Sequence, residues 1–238
     1  MRASMCLKNI ESYSMDYGEI FNLDCIKGMQ SMQQAGILAD LLLTDIPYDV
    51  VNRSSNGLRN LDKDRADDIT FELNHFLDLV DKVVSGSFVI FCSTEQVSDI
   101  RSYFACKGHT TRVIVWQKNN PSPMNGQHVY LSGIEFAVYA KKRKAVFNAH
   151  CKNSVLKHSV AKNKWHPTSK PVSLWSELVE DLSMENQLVL DTCMGGGTTP
   201  LVCSKLKRRF ICFEINKDYY KLAIERLKCE GVEFVNGS

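Results

Sequence analysis

The 238-residue sequence predicts an α/β sandwich on a mostly parallel sheet, and three observations carry that prediction. Short apolar runs rich in Val, Ile, Leu and Phe recur along the chain, each too short for an independent helix. They are nearly continuous in apolar character, the pattern of strands covered on both faces. Between most of them lie segments with apolar residues at helical spacing, so strand and helix alternate.

Strands are predicted at 19–23 (EIFNL), 39–44 (ADLLLT), 87–92 (SFVIFC), 111–116 (TRVIVW), 133–140 (GIEFAVYA), 187–191 (QLVLD) and 209–214 (RFICFE). Helices are predicted at 25–35, 72–84, 94–106, 170–183, 198–206 and 216–229. In FELNHFLDLVDKVV, Phe71, Phe76, Leu77, Val80 and Val84 make one apolar helical face. No helix separates 111–116 from 133–140, so these two runs are expected to form an antiparallel hairpin at one sheet edge. Segments 49–70 and 141–166 are polar and longer than most connections, as loops that are functional or disordered usually are. Ligands of such sheets bind at the carboxyl ends of the strands, so both loops are expected there. The chain reads as one domain over 1–238.

Hydrophobic residues make up 44% and charged residues 24%, as in soluble globular proteins. No run of 18 apolar residues suggests a membrane span, and the N-terminal stretch lacks the apolar core of a signal peptide. Nine cysteines are scattered without CxxC spacing, so neither a zinc site nor a redox motif is expected, and no metal. Their odd number and apolar settings, as in FICFEI, suggest reduced, buried thiols in a cytoplasmic protein.

The net charge of +2 hides an asymmetry. Residues 141–170 hold nine of the 29 basic residues (Lys141, Lys142, Arg143, Lys144, Lys152, Lys157, Lys162, Lys164 and Lys170) and no acid, which leaves 20 basic against 27 acidic residues elsewhere. Concentrated positive charge on an otherwise acidic protein is the footprint of a polyanion partner, with a solvated basic loop as the plain alternative.

LVLDTCMGGGTTPLVCSKL reads as strand, glycine turn and helix. Asp191 ends the strand, Gly195-Gly196-Gly197 form the turn, and Thr198 or Thr199 is expected to cap the helix before Pro200. The next strand ends at Glu214, placed to accept hydrogen bonds from ribose hydroxyls. The loop lacks the Gly-Lys-Ser/Thr of a P-loop and the last glycine of G-x-G-x-x-G. A nucleoside without phosphates is therefore favoured, and Asp191 would attract a cationic neighbour such as a sulfonium. This points toward S-adenosylmethionine.

A second unusual stretch is LLLTDIPYDV, where a buried strand ends in Asp45-Ile46-Pro47-Tyr48. Taken alone it is equally a strand-end turn. Together, TDIPY and DTCMGGGTT resemble the beta class of DNA amino-methyltransferases, whose D-P-P-Y motif precedes an F-x-G-x-G motif. Three further stretches support the resemblance: HPTSKPVSLWSELV (166–179), VIVWQKNNPSP (113–123) and NLDCIKGM (22–29). The likeness spans about 18–225, in the family's order.

The resemblance implies a Rossmann-like methyltransferase fold with permuted motif order and S-adenosylmethionine as cofactor. The exocyclic amine of adenine is a poor nucleophile. It would be activated by donating to Asp45 and to the carbonyl of Ile46, a carbonyl kept although Ile46 replaces the family's proline. Pro47 biases Ile46 toward extended geometry. Tyr48 would stack on a base flipped out of the duplex. Cofactor contacts are expected from Asp24, Lys170, Asp191, Met194, Gly195, Gly197, Thr198, Thr199, Glu214 and Asn216, and DNA contacts from Trp116, Lys118, Asn119, Lys141, Lys142, Arg143 and Lys144. Met194, in place of the family's Phe, would pack on the adenine face.

Loops 49–70 and 117–166 would face DNA, and a homodimer would enlarge the contact surface. Plain alternatives stand beside several of these readings: Asp24 as a helix cap, His166 as a packing or capping histidine, and Trp116 as core. The leading expectation is adenine-N6 methylation of DNA in a prokaryotic or phage setting. Cytosine-N4, RNA or protein-amide methylation and a non-catalytic binding module are the alternatives.

Overall fold

The computed structural model describes residues 10–48, 71–123, 126–160, 165 and 169–235. The expected loop 49–70, Lys162, Lys164 and residues 166–168 lie outside the described residues.

The elements run β1 (Ser12–Met15), β2 (Gly18–Asn22), α1 (Cys25–Gln34), β3 (Ala39–Asp45), α2 (Leu73–Val83), β4 (Val84–Cys92), α3 (Thr94–Cys106), β5 (Thr110–Lys118) and β6 (Ile134–Lys141). They continue as β7 (Val155–His158), α4 (Val172–Leu182), β8 (Leu188–Asp191), α5 (Thr198–Lys205), β9 (Arg209–Glu214) and α6 (Lys217–Cys229). One nine-stranded sheet has the order β1-β2-β9-β8-β3-β4-β6-β5-β7.

The strands from β2 through β4 in that order are mutually parallel, while β6 is antiparallel to both β4 and β5. The expected hairpin is therefore present, but it lies one strand inside the edge, because β7 pairs parallel with β5. At the other edge β1 pairs antiparallel with β2. The sequence reading missed both short strands, one poor in apolar residues and the other set within the basic stretch.

Alternation along the central strands builds two cores. Leu41 and Leu43 of β3 pack with Leu174, Trp175 and Leu178 of α4, Leu201 of α5 and Tyr220 of α6. Leu42, pointing the other way, packs with Met29 of α1, Phe76 and Val80 of α2, and Ile100 and Phe104 of α3. Three helices thus cover each face, which is why the strands are apolar on both sides.

Local signals place the helix starts. The Asp24 carboxylate caps α1, accepting from the Lys27 N–H at 3.1 Å, and Asn216 caps α6, accepting from the N–H groups of Asp218 and Tyr219. The helix α2 ends at Val83 and passes into β4 at Val84 with no intervening loop. Val84 is thus a strand residue, not part of the helical face expected of it.

The cysteines follow expectation only in part. Cys25, Cys92, Cys203 and Cys212 are buried thiols, whereas Cys106, Cys151 and Cys229 are exposed on the surface. Among the described residues no helix is long and apolar enough to cross a membrane, and no cluster of His, Cys, Asp or Glu could hold a metal ion.

The pairing of β3 with β4 shifts register between Ala39 and Leu41, where Gly86 lies against the Asp40 backbone. A Cβ at position 86 would stand 1.9 Å from the Asp40 carbonyl oxygen. Gly86→Ala should therefore cost roughly 2–3 kcal/mol, lowering Tm by several degrees in a calorimetric scan.

Candidate active site

Parallel strands deliver their last residues to one edge of the sheet, and that edge collects the chemistry. Asp45 ends β3, Asp191 ends β8, Glu214 ends β9 and Lys118 ends β5. Strands β3 and β8 are direct neighbours, with Leu42 opposite Leu190. Two residues beyond that pairing, the Thr44 and Thr192 hydroxyls meet at 2.9 Å in a buried hydrogen bond. Two stretches almost 150 residues apart in sequence are thereby clamped side by side, Asp45 next to one threonine and Asp191 next to the other.

At Asp45 the Tyr48 hydroxyl donates to Oδ1 at 3.0 Å, and the Lys170 ammonium donates to Oδ2 at 2.5 Å. Lys170 is only 6% exposed, and its second anionic partner is Glu135 at 3.0 Å. Glu135 in turn receives the Lys118 ammonium at 2.9 Å. Four charges thus alternate in sign from Lys118 through Glu135 and Lys170 to Asp45. Burial holds the Asp45 carboxyl above its ordinary range; Lys170 counteracts this and Glu135 reinforces it. Burial opposes the charge on Lys170, but Asp45 and Glu135 outweigh it and raise its pKa.

The Ile46 side chain is buried, and its N–H donates to the Phe91 carbonyl at 3.1 Å. A proline here would lack that donor. The rigidity lost with the proline ring is replaced by one more rung between β3 and β4.

The glycine turn is held from several sides. Gly195 and Gly197 have φ values of 51° and 74°, the left-handed region that favours glycine. Gly197 itself caps α5, and the threonines are not the caps expected of them. Thr199 instead donates to Asp191 and accepts from the Trp175 indole N–H at 2.8 Å, while Thr198 donates to the Lys170 carbonyl at 3.3 Å. Glu214 accepts from the N–H groups of Gly195 and Asn216, each at 2.8 Å. Burial pushes the Glu214 carboxyl up to about 7 and that of Asp191 up to about 6. Buried Arg226 of α6 donates to the Gly196 carbonyl at 2.7 Å.

The side-chain donors and acceptors at this turn are thus mostly carboxylates and hydroxyls. That set suits a ribose and a cationic centre and does not suit a phosphate.

Several residues expected at the cofactor also serve the fold. Met194 is buried in the core on the α4–α6 side. Asp24 and Asn216 both spend their side chains capping helices, although Asp24 stands at the same sheet edge, just after Leu23, whose N–H donates to the Glu214 carbonyl. Lys170 directs its ammonium to Asp45, and only its carbonyl reaches the glycine-loop helix.

The basic residues divide more sharply. Lys141 lies opposite Ser87 near the start of β4, whereas Phe136 lies opposite Cys92 at its end. From Glu135 to Lys141 the strand covers about 20 Å, so Lys141, Lys142, Arg143 and Lys144 sit at the amino edge, away from Asp45. Lys142 is also engaged internally, by Asp81 at 3.1 Å and by two backbone carbonyls. Lys152 pairs with Glu177 and Asp181. The run 141–170 is therefore not one patch, and Lys141–Lys144 lie at the edge of the sheet opposite Asp45, not beside the site as expected.

Trp116 is 2% exposed and donates its indole N–H to the His158 carbonyl at 2.9 Å, so it is core and not a stacking platform. Asn119 and Lys118 are at the carboxyl edge as expected, Asn119 exposed and Lys118 half-buried.

Sequence reasoning missed Glu135, Arg226 and Trp175. Glu135 did carry a signal, being the one acidic residue between Asp99 and Glu177.

Residues 39–225 match the family model described as DNA methylase. The chain is 26% identical to the type II methyltransferase M2.DpnII of Streptococcus pneumoniae, over 87% of this chain and 88% of that one. The structure resembles that of M1.HpyAVI in complex with SAM, with a TM-score of 0.71 and 30% identity over 88% of this chain and 100% of the other. It also shares its fold with the cytosine-N4-specific PvuII DNA methyltransferase, at a TM-score of 0.68 and 17% identity over 90% of this chain and 87% of that one. Strand order, the clamped Asp45 and glycine stretches and these likenesses agree: the chain belongs to the DNA methylase family, the amino-methyltransferases of DNA, and has their Rossmann-like fold.

Proposed function

We propose that the protein methylates the N6 amine of adenine in DNA, with S-adenosylmethionine as donor, as the modification partner of a restriction system. The observation that carries this is the clamp between Thr44 and Thr192, which supports a methyl donor at the glycine turn and an amine at Asp45 meeting in one site. The relatives named type II methyltransferases support the restriction setting. Adenine is favoured because Asp stands first in the D-I-P-Y motif, which in this family goes with adenine. Cytosine-N4 is the second reading, because PvuII methyltransferase shares the fold.

When bound, S-adenosylmethionine supplies an electrophilic methyl group on a sulfonium. Glu214 would accept from the ribose hydroxyls and Asp191 would face the positive end of the cofactor. The target amine donates one N–H to Asp45 and the other to the Ile46 carbonyl, which draws its lone pair out of conjugation. The N–C bond would form as the methyl–sulfur bond breaks, Asp45 would stabilise the positive charge that develops on nitrogen, and the loss of one amine proton would return the product to neutrality. The Tyr48 ring swings from its bond to Asp45 onto the face of the extruded base. Holding the two reactants in line supplies most of the acceleration.

Incubating unmethylated DNA with the protein and labelled cofactor, followed by nucleoside analysis and base-resolved sequencing, tests the reading. N6-methyladenine in one sequence context is expected; N4-methylcytosine would establish the second reading. Asp45→Ala should lower kcat by a factor of about 10²–10³, or ~3–4 kcal/mol, while leaving cofactor affinity within a few-fold. Equal transfer by this variant would defeat the mechanism.

Glu135→Gln removes a negative charge that raises the Asp45 pKa, so the acid limb of the kcat/KM profile should move to lower pH. Glu135→Asp should restore the profile, an outcome that a purely packing role would not produce.

Cofactor affinity should fall as pH drops through about 7, where the buried Glu214 carboxyl takes up a proton and can no longer accept two ribose bonds. Calorimetric titrations from pH 6 to 8.5 should show this step, and Glu214→Gln should abolish it.

A further inference from the structure

The loop joining β5 to β6 carries a feature that the chemistry above leaves unused. Val129 is 64% exposed, Tyr130 fully exposed, Leu131 44% exposed and Ile134 47% exposed. Among the described residues these are four of the ten large apolar side chains exposed to solvent, and they fall within six positions. Such a cluster on a loop tip marks a contact surface rather than a packing fault.

The tip is built, not loose. The Gly126 N–H donates to the Pro123 carbonyl at 3.0 Å and that of Gly133 to the Leu131 carbonyl at 2.8 Å. Leu131 lies so close over Gly126 that a Cβ there would meet its Cδ2 at 2.7 Å. Leu131 thus closes the tip and leaves Tyr130 projecting beyond it.

Its position decides what it meets. The Lys118 N–H donates to the Gly133 carbonyl at 2.8 Å, which roots the tip at the carboxyl edge of the sheet. Two residues on, Glu135 reaches Lys170, which reaches Asp45. In the sheet, β3 lies between the glycine turn on β8 and β9 and the strands β4, β6 and β5, so the tip of the β5–β6 hairpin is on the side of Asp45 away from that turn. From Lys118 to Ile134 the sequence has no carboxylate, so nothing in the tip repels a polyanion.

We propose that residues 126–133 form a wedge that enters the DNA duplex at the target base pair, with Tyr130 stacking in the space left by the extruded base. Aromatic and aliphatic side chains take this role where proteins unstack base steps, because a base or its vacancy offers an apolar face. The inference rests on the DNA reading of the Asp45 site.

The test uses the full chain and oligonucleotides that carry the methylated site found by sequencing. Tyr130→Ala and Tyr130→Phe are compared with the wild type on paired duplex, on single strand, and on a duplex with an abasic position opposite the target. Tyr130→Ala should lose about 10-fold or more in kcat/KM on the paired duplex and stay within about threefold on the other two substrates, since those need no help in extrusion. Tyr130→Phe should stay near wild type. The fluorescence rise of 2-aminopurine at the target position should shrink in Tyr130→Ala.

Equal losses on all three substrates, or none on the duplex, would overturn the wedge while leaving the methyltransferase reading intact. A duplex defect that tracks conversion of a dimer to a monomer in light scattering would also overturn it, by making the tip a subunit interface. A wild type that binds cofactor yet methylates no DNA would overturn the site reading and the wedge with it.

Discussion

The buried ammonium of Lys170 is the constraint on which the arrangement of the site depends. A lone charge in so enclosed a position would be strongly destabilising, so it is tolerated only with carboxylates on it. The two it finds come from different parts of the sheet, Asp45 from β3 and Glu135 from β6. Its carbonyl meanwhile accepts from Thr198 at the start of α5. One residue therefore ties the D-I-P-Y strand, the hairpin and the glycine-loop helix together. Removing either carboxylate partner would leave Lys170 with one counter-charge in place of two, and this couples the hairpin to Asp45 although neither of its strands bears the D-I-P-Y motif.

Around the glycine turn the electrostatics have a different logic. Asp191 and Glu214 are buried where ionisation is unfavourable, and their hydrogen bonds to Thr199, Cys193, Gly195 and Asn216 offset part of that cost. Arg226 meets the turn through the Gly196 carbonyl and forms no ion pair with either acid among the described residues. A cationic ligand is the natural complement of such a set, whereas a pyrophosphate would add negative charge to negative charge.

What was legible in the sequence was what is contiguous. The glycine turn, the D-I-P-Y strand end and the strand–helix alternation all lie within short windows, and the architecture follows from them. What was hidden depends on partners brought from afar. The basic run 141–170 read as one surface, yet Lys142 is matched by Asp81 of α2 and Lys152 by Glu177 and Asp181 of α4. A charge count along the chain cannot see those partners, nor the reversal of direction in β6 that carries Lys141 to the opposite edge. Glu135 and Arg226 were missed for the same reason. Ile46 was legible in half: its carbonyl was recognised, but the use of its N–H required knowing that β4 lies beside it.

The sheet order has one more consequence. With β3 between them, the strands that carry the glycine turn and the hairpin that carries the exposed tip are not paired with each other in the sheet. Changes at the hairpin tip that spare Glu135 therefore leave both the charge balance at Lys170 and the glycine turn untouched. The fifteen positions between Lys118 and Ile134 are free to vary between two strands whose pairing is already secured.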